Sequence, residues 1–136
     1  MPRELPLGVF DSGLGGLTVV RALREACPNE SILYLGDTAR VPYGARSAET
    51  VIKYAIGCAR LLVARGVKAI VVACNTVSAV ALDALRVELD IPVLGVIVPG
   101  ARAVVRAAGG GTIGVLATAG TIASGAYPRA VASLST

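Results

Sequence analysis

An α/β fold, an open and mostly parallel sheet with helices on both faces, is what this sequence predicts, and two patterns predict it. Short Val/Ile/Leu-rich runs alternate with longer segments whose apolar residues return at helical spacing, the pattern of repeated βαβ units. The runs are also nearly continuous in apolar residues. Strands buried on both faces read this way, whereas a strand with one wet face alternates.

Taken in order, the first run is LPLGVFD (5–11) and leads into a helix carrying Arg21 and Arg24 that should end near Cys27, beside Pro28. SILYLGD (31–37) is the second run. A second helix follows, with Val51, Ile52, Ala55, Ile56, Ala59 and Leu62 on one stripe. AIVVAC (69–74) is the third run, and a helix should start immediately after it. PVLGVI (92–97) is the fourth, followed by a helix with Arg102 and Arg106 that Gly109, Gly110 and Gly111 close as a loop. TIGVLAT (112–118) completes an expected set of five strands.

Composition bounds the function. A chain of 136 residues that is 54% hydrophobic holds one domain with a real core. Its mean hydropathy of +0.71 is high for so small a protein. The net charge of +4 comes largely from arginines dispersed over the predicted helices (Arg60, Arg65 and Arg86 among them), with 4% aromatic content, so no nucleic-acid partner is expected. The apolar runs are broken by Gly, Pro or charge well short of a bilayer span and no targeting segment is visible, so a cytoplasmic chain without membrane contact is expected. Three cysteines and no histidine argue against a disulfide framework and against a metal site.

The polar residues cluster at the carboxyl ends of the runs: Asp11 and Ser12 after the first, Asp37 and Thr38 after the second, Cys74, Asn75 and Thr76 after the third, Thr118 after the fifth. In an open parallel sheet this is the edge at which ligands bind. The opposite edge is bland, with Lys68, Pro92 and Thr112 as strand openers. Cys58, on the helical stripe, and Cys27, at a helix end, read as packing residues. Cys74 precedes a helix start, where free N–H groups and the positive dipole end favour a thiolate. On local features alone it reads equally as a small hydrophobe with Asn75 or Thr76 as a plain N-cap. Gly13, Gly15, Gly16 and Gly44 suit tight turns, and Asp37 and Thr38 read better as a turn cap than as catalytic groups.

Other chemistries fit less well. DSGLGG has Thr18 where a dinucleotide fingerprint needs its last glycine, and no P-loop lysine follows. CNTVSAV offers no arginine to clamp a phosphate, papain-type catalysis lacks its histidine, and Lys53 and Lys68 are misplaced for a pyridoxal Schiff base. Neither a dinucleotide nor pyridoxal phosphate is therefore expected. A thiol near a carboxylate, with hydroxyl, amide and backbone N–H donors around it, suits a small polar anion and proton transfer at carbon.

GVFDSGLGGLTV, LGDTARVPYG, VVACNT and GVLATAGTIASGAY, in this order over nearly the whole chain, resemble the amino-terminal half of the bacterial glutamate racemases, within the aspartate/glutamate racemase superfamily. The resemblance implies a cofactor-independent isomerase in which two cysteines, one from each of two α/β lobes, flank the α-carbon of glutamate. It also implies a role in supplying D-glutamate for peptidoglycan, and hence in cell-wall biogenesis and cell shape. Carried onto this chain, Cys74 is similar to the first acid/base thiol and Asp11 to the carboxylate that poises it. Ser12, Tyr43, Gly44, Asn75 and Thr76 correspond to groups lining the amino-acid pocket, and Thr118 and Thr121 fall near a substrate carboxylate. Residues 1–98 would be the first lobe and 99–136 the start of a second.

Family members are about twice this length, and their second cysteine, beside a threonine and a histidine, has no counterpart here. The chain alone should therefore exchange the α-hydrogen slowly without inverting the centre, unless two copies pair as a homodimer and present two Cys74 thiols to one substrate. The alternatives of other classes are a single-cysteine decarboxylase-type relative and a non-catalytic ligand-binding fragment. Proton exchange at the α-carbon in deuterated water separates an enzyme from a binder.

Overall fold

The computed structural model describes residues 4–135, and its centre is a parallel sheet of four strands rather than five. The strands are β1 (Leu7–Asp11), β2 (Ile32–Gly36), β3 (Ala69–Val72) and β4 (Val93–Leu94), arranged β2-β1-β3-β4. Leu7 pairs with both Ile32 and Ala69, and Asp11 ends opposite Gly36. Apolar continuity in β1 and β3 has the expected cause: Val9, Phe10, Ile70 and Val72 are completely buried. β2 is an edge strand and only half-buried along its length.

The fifth expected strand does not form. Residues 112–118 form neither helix nor strand, and Val115 and Leu116 stand exposed. A strand is defined by a partner, and no described strand lies beside this run, so apolar sequence alone does not make it one.

Helix α1 (Leu17–Ala26) joins β1 to β2, and α2 (Ala48–Ala64) joins β2 to β3 after a single 3-10 turn at Thr38–Arg40. Helices α3 (Asn75–Val80) and α4 (Leu82–Glu88) lie between β3 and β4. Because crossovers are right-handed, the reversal from β2 back across β1 to β3 puts α1 on one face and α2, α3 and α4 on the other. The expected stripe of α2 is the core-facing one: Val51, Ala55, Cys58, Ala59 and Leu62 are buried against Phe10, Ile70 and Val72. Ser47 caps α2, its Oγ accepting from the Thr50 N–H. α1, in contrast, has no fully buried residue. Cys27 is its C-cap and is exposed, which corrects its reading as a packing residue: the helix that it closes buries none of its residues fully, so its end has no cover to pack against.

Helix α5 (Ile97–Ala108) begins before Pro99 and runs continuously through it, ending at Gly109 in the left-handed conformation. Then α6 (Ala119–Ser124) and α7 (Ala126–Leu134) pack back, α6 on α3 and α7 on α5. No described helix is long and apolar enough to cross a membrane.

Candidate functional site

The order of strand addition reverses between β1 and β3, since β1 leads outward to β2 on one side and the chain returns to β3 on the other. A crevice opens beyond the strand ends at such a point. Here it is a cleft of about 390 Å³ whose walls include Asp11, Ser12, Cys74, Asn75, Thr76 and Thr118. Six of the nine residues expected in the site therefore share one cleft.

Asp11, the last residue of β1, is buried, and its carboxylate is held by the turn that follows it. Oδ2 accepts from the Gly16 N–H at 2.8 Å and from the Gly13 N–H at 3.3 Å. The glycine at 16 is required by this approach, because a Cβ there would stand 2.6 Å from the Asp11 Cβ. On the other side of the turn the Tyr34 hydroxyl donates to the Gly13 carbonyl at 2.8 Å. Burial, and after it the Asp11 charge, raise the Tyr34 pKa, so this donor keeps its proton at neutral pH.

Cys74 is the N-cap of α3, a helix of six residues. Its Sγ accepts from the Val77 N–H at 3.5 Å and its S–H donates to the Ser12 hydroxyl at 3.4 Å. The N–H favours the thiolate, and the Ser12 hydroxyl can accept from the thiol or, by rotating, donate to the thiolate.

Beyond Cys74 lie three hydroxyls in mutual contact: Thr76 to Thr118 at 2.8 Å, Thr76 to Thr121 at 3.2 Å, Thr118 to Thr121 at 3.0 Å. Thr118 caps α6 from an exposed position, its Oγ1 accepting from the Thr121 N–H. Such a triangle can turn one O–H outward to an anionic oxygen while its neighbours close behind it.

Three expected pocket residues are placed otherwise. Tyr43 does not line the cleft. It is 1% exposed and packs between Phe10 and Tyr54, with ring centroids 6.4 and 5.6 Å away, and its hydroxyl donates to the Asp37 carboxylate. Thr121 is buried and reaches the cleft only through Thr76 and Thr118. Gly44 lies behind Thr118, so close that a Cβ would be 2.4 Å from the Thr118 Cβ, and its carbonyl accepts from the Gly120 N–H at 3.1 Å. The cis Val41–Pro42 peptide precedes this contact. Asp37 opens the 3-10 turn, as its reading as a turn residue expected, but its side chain does not cap it. It accepts instead from Tyr43 and, at 2.7 Å, from Arg40 Nε.

Thr18, Ala73 and Val96 also border the cleft, although their residue types carry no chemical signal in sequence. Tyr127, which donates a hydrogen bond to Asn75 from 52 positions away, ends the last of the quoted motifs but had no local reason to be singled out. Among the described residues no group of three His, Cys, Asp or Glu side chains could hold a metal ion.

Comparison with known proteins places the fold in a family. The profile of the Asp/Glu/Hydantoin racemase family matches residues 8–136. The glutamate racemase of Corynebacterium kroppenstedtii is 54% identical over 132 residues, covering 97% of this chain and 46% of the relative. The crystal structure of glutamate racemase from Thermus thermophilus in complex with β-chloro-D-alanine superposes with a TM-score of 0.87 at 52% identity, covering 96% of this chain and 50% of that one. The Francisella tularensis glutamate racemase, solved in complex with D-glutamate, gives a TM-score of 0.87 at 45% identity, with 96% and 49% covered. The chain thus spans about half the length of the relatives it matches.

Proposed function

The chain belongs to the Asp/Glu/Hydantoin racemase family, and from that premise we propose that it is the Cys74-bearing part of a glutamate racemase, an isomerase that interconverts L- and D-glutamate without a cofactor. One observation carries the reading: a thiol at the switch point of a parallel sheet, held between a helix N–H and the Ser12 hydroxyl and facing a cleft lined with small polar groups. Cys74 as thiolate takes the α-proton of glutamate, the pair of electrons left on carbon is delocalised into the α-carboxylate, and donors around the cleft stabilise the charge that develops there. Asp11 positions the loop carrying Ser12 and sets the field at the thiol. Ser12, Asn75, Thr76 and Thr118 bind the amino acid directly, while Gly44 and Thr121 support Thr118 and Thr76 from behind and Tyr43 stays in the core.

Inversion needs an acid on the opposite face of the carbon. Cys58 and Cys27 lie away from the cleft and the chain has no histidine, so the second acid comes from outside these residues. Residues 99–136 are accordingly the beginning of a second lobe, joined to residues 1–98 through α5. Alone, this chain exchanges the α-hydrogen with retention and racemises only if a homodimer sets two Cys74 thiols about one substrate. In the cell it acts in the cytoplasm and supplies D-glutamate for peptidoglycan, and through it cell shape.

The test follows L-glutamate with the purified chain in deuterated water, reading deuterium by mass and configuration by circular dichroism. We expect slow deuteration with configuration retained, falling on the order of a hundredfold or more in Cys74→Ala, the scale of one lost general base. Exchange that persists in Cys74→Ala would overturn the assignment. Loss of optical activity that depends on Cys74 and on protein concentration would show the homodimer to be the active form.

A further inference from the structure

We propose that Tyr127 is a positioning residue that fixes the side-chain amide of Asn75 with its NH2 end free for the cleft, so that this corner of the site presents a hydrogen-bond donor to an anionic oxygen of the ligand. The inference rests on the reading that the cleft takes glutamate, and its test separates the two. Asn75 opens α3, borders the cleft and is exposed, so nothing in its packing dictates which end of the amide faces outward. An amide has nearly the same shape after a half-turn about its last torsion, and the two orientations offer opposite chemistry, acceptor or donor. A carboxylate needs the donor.

Tyr127 removes the ambiguity. Its hydroxyl donates to Asn75 Oδ1, which leaves Nδ2 without a partner among the described residues. A phenol is a good donor and a weak acceptor, so the reversed amide, with NH2 against the phenol oxygen, is the poorer arrangement. The tyrosine is itself held on several sides. It is half-buried and stands in the first turn of α7, which follows Gly125 in the left-handed conformation with φ of 66°. The corner before it is tied by Arg129 Nη1 donating to the Ser124 carbonyl at 2.7 Å and by the Ala126 N–H donating to Ser124 Oγ at 3.1 Å. On the far side α5 passes at ordinary packing distance, a Cβ on Gly100 lying 3.5 Å from the phenol oxygen. Burial raises the Tyr127 pKa, so the hydroxyl remains a donor through the neutral range. A residue from the region after Pro99 thereby orients one on the β3 side of the sheet.

A neutral hydrogen bond of this kind contributes about 0.7–1.4 kcal/mol, which corresponds to about a 3–10-fold change in affinity. The experiment is a double-mutant cycle on the full chain, with glutamate affinity measured by calorimetry for wild type, Tyr127→Phe, Asn75→Ala and the double variant, alongside the 15N-resolved side-chain amide signals of Asn75. Phenylalanine keeps the ring and its packing. We expect Tyr127→Phe to weaken glutamate binding about 3–10-fold in the wild-type background but by less than about twofold when Asn75 is already alanine. The Asn75 amide signals should move toward those of a freely rotating side chain while the melting temperature stays close to wild type. A loss of affinity that persists in the Asn75→Ala background, or an Asn75 amide pair unmoved by Tyr127→Phe, overturns the proposal. If no variant binds glutamate yet the amide signals respond, the positioning stands and the glutamate reading falls.

Discussion

Cys74 and Cys58 are almost equally buried, at 6% and 5% exposure, and each has an aspartate and a hydroxyl in its neighbourhood, yet the two surroundings spend those groups differently. Around Cys58 the protein satisfies itself. Arg40 Nη2 donates to the Cys58 sulfur at 3.6 Å, Arg40 Nε and the Tyr43 hydroxyl both occupy Asp37 Oδ2, and Tyr54 lies 4.1 Å beneath the Arg40 guanidinium. Around Cys74 the partners are a backbone N–H and a serine hydroxyl, and the remaining polar groups face a cleft. What separates a packing thiol from a candidate acid/base is therefore the direction in which its neighbours' unspent donors and acceptors point, with depth of burial contributing little.

The comparison breaks most visibly in alkylation. Cys27 is exposed and should react first simply through access. Of the buried pair, Cys74 borders the cleft, whereas Cys58 must wait for the protein to open around it, and open states are populated at about one part in a thousand or less. Iodoacetamide followed by peptide mass mapping should show Cys74 reacting on the order of a hundredfold faster than Cys58, with glutamate slowing Cys74 alone. Comparable rates at Cys58 and Cys74 would erase the distinction.

A second contrast is between stability and chemistry. Asp37→Ala removes the acceptor of the buried Tyr43 hydroxyl and the partner of Arg40. The Arg40 side chain is 40% exposed and rehydrates, so most of the cost comes from the stranded phenol. About 2 kcal/mol of unfolding free energy should be lost in urea titration. Because the cleft is untouched, Cys74-dependent exchange at the α-carbon should stay within about twofold of wild type when measured well below the unfolding midpoint. A large loss of exchange in this variant would mean the closed cluster acts on the site, through Gly44 and Thr118.

Much of this arrangement was legible in the sequence, for identifiable reasons. β1, β2, β3 and the α2 stripe follow from periodicity, and Asp11, Ser12, Cys74, Asn75 and Thr76 from the rule that ligands gather at strand ends, which needs no contact information. What was not legible depends on partners distant in the chain. Residues 112–118 look like a strand because apolar composition cannot report whether another strand lies alongside. Tyr43 sits between Pro42 and Gly44 in a strand-end loop and reads as a pocket residue, and only the placement of Phe10, Tyr54 and Asp37 around it takes it into the core. Tyr127 meets Asn75 because α7 returns over α5, a packing that no local pattern encodes.

The smallest expected effect is a difference in pH dependence. Burial raises the Cys58 thiol above its ordinary value of 9.0 and the Tyr43 phenol above 10.0, and the Asp37 charge raises both further. A group whose folded pKa exceeds its unfolded value holds its proton more tightly in the native state. Its stabilising share is whole below the unfolded value and drains away as pH climbs from that value toward the folded one. The closed cluster should therefore cost the protein stability from about pH 9 upward, first through Cys58 and then through Tyr43. Urea midpoints measured between pH 7 and 10.5 should be flat at first and decline over the alkaline part of that range. Tyr34 and Tyr127 are raised as well and add to the decline, so the diagnostic is the difference between variants. Tyr43→Phe starts from a lower midpoint at pH 7, having lost its bond to Asp37, but above pH 10 it should fall less steeply than wild type, because one proton no longer has to be given up on unfolding. Parallel curves for the two proteins would mean that Tyr43 titrates alike folded and unfolded, and that the cluster around Cys58 is more open to water than its hydrogen bonds indicate.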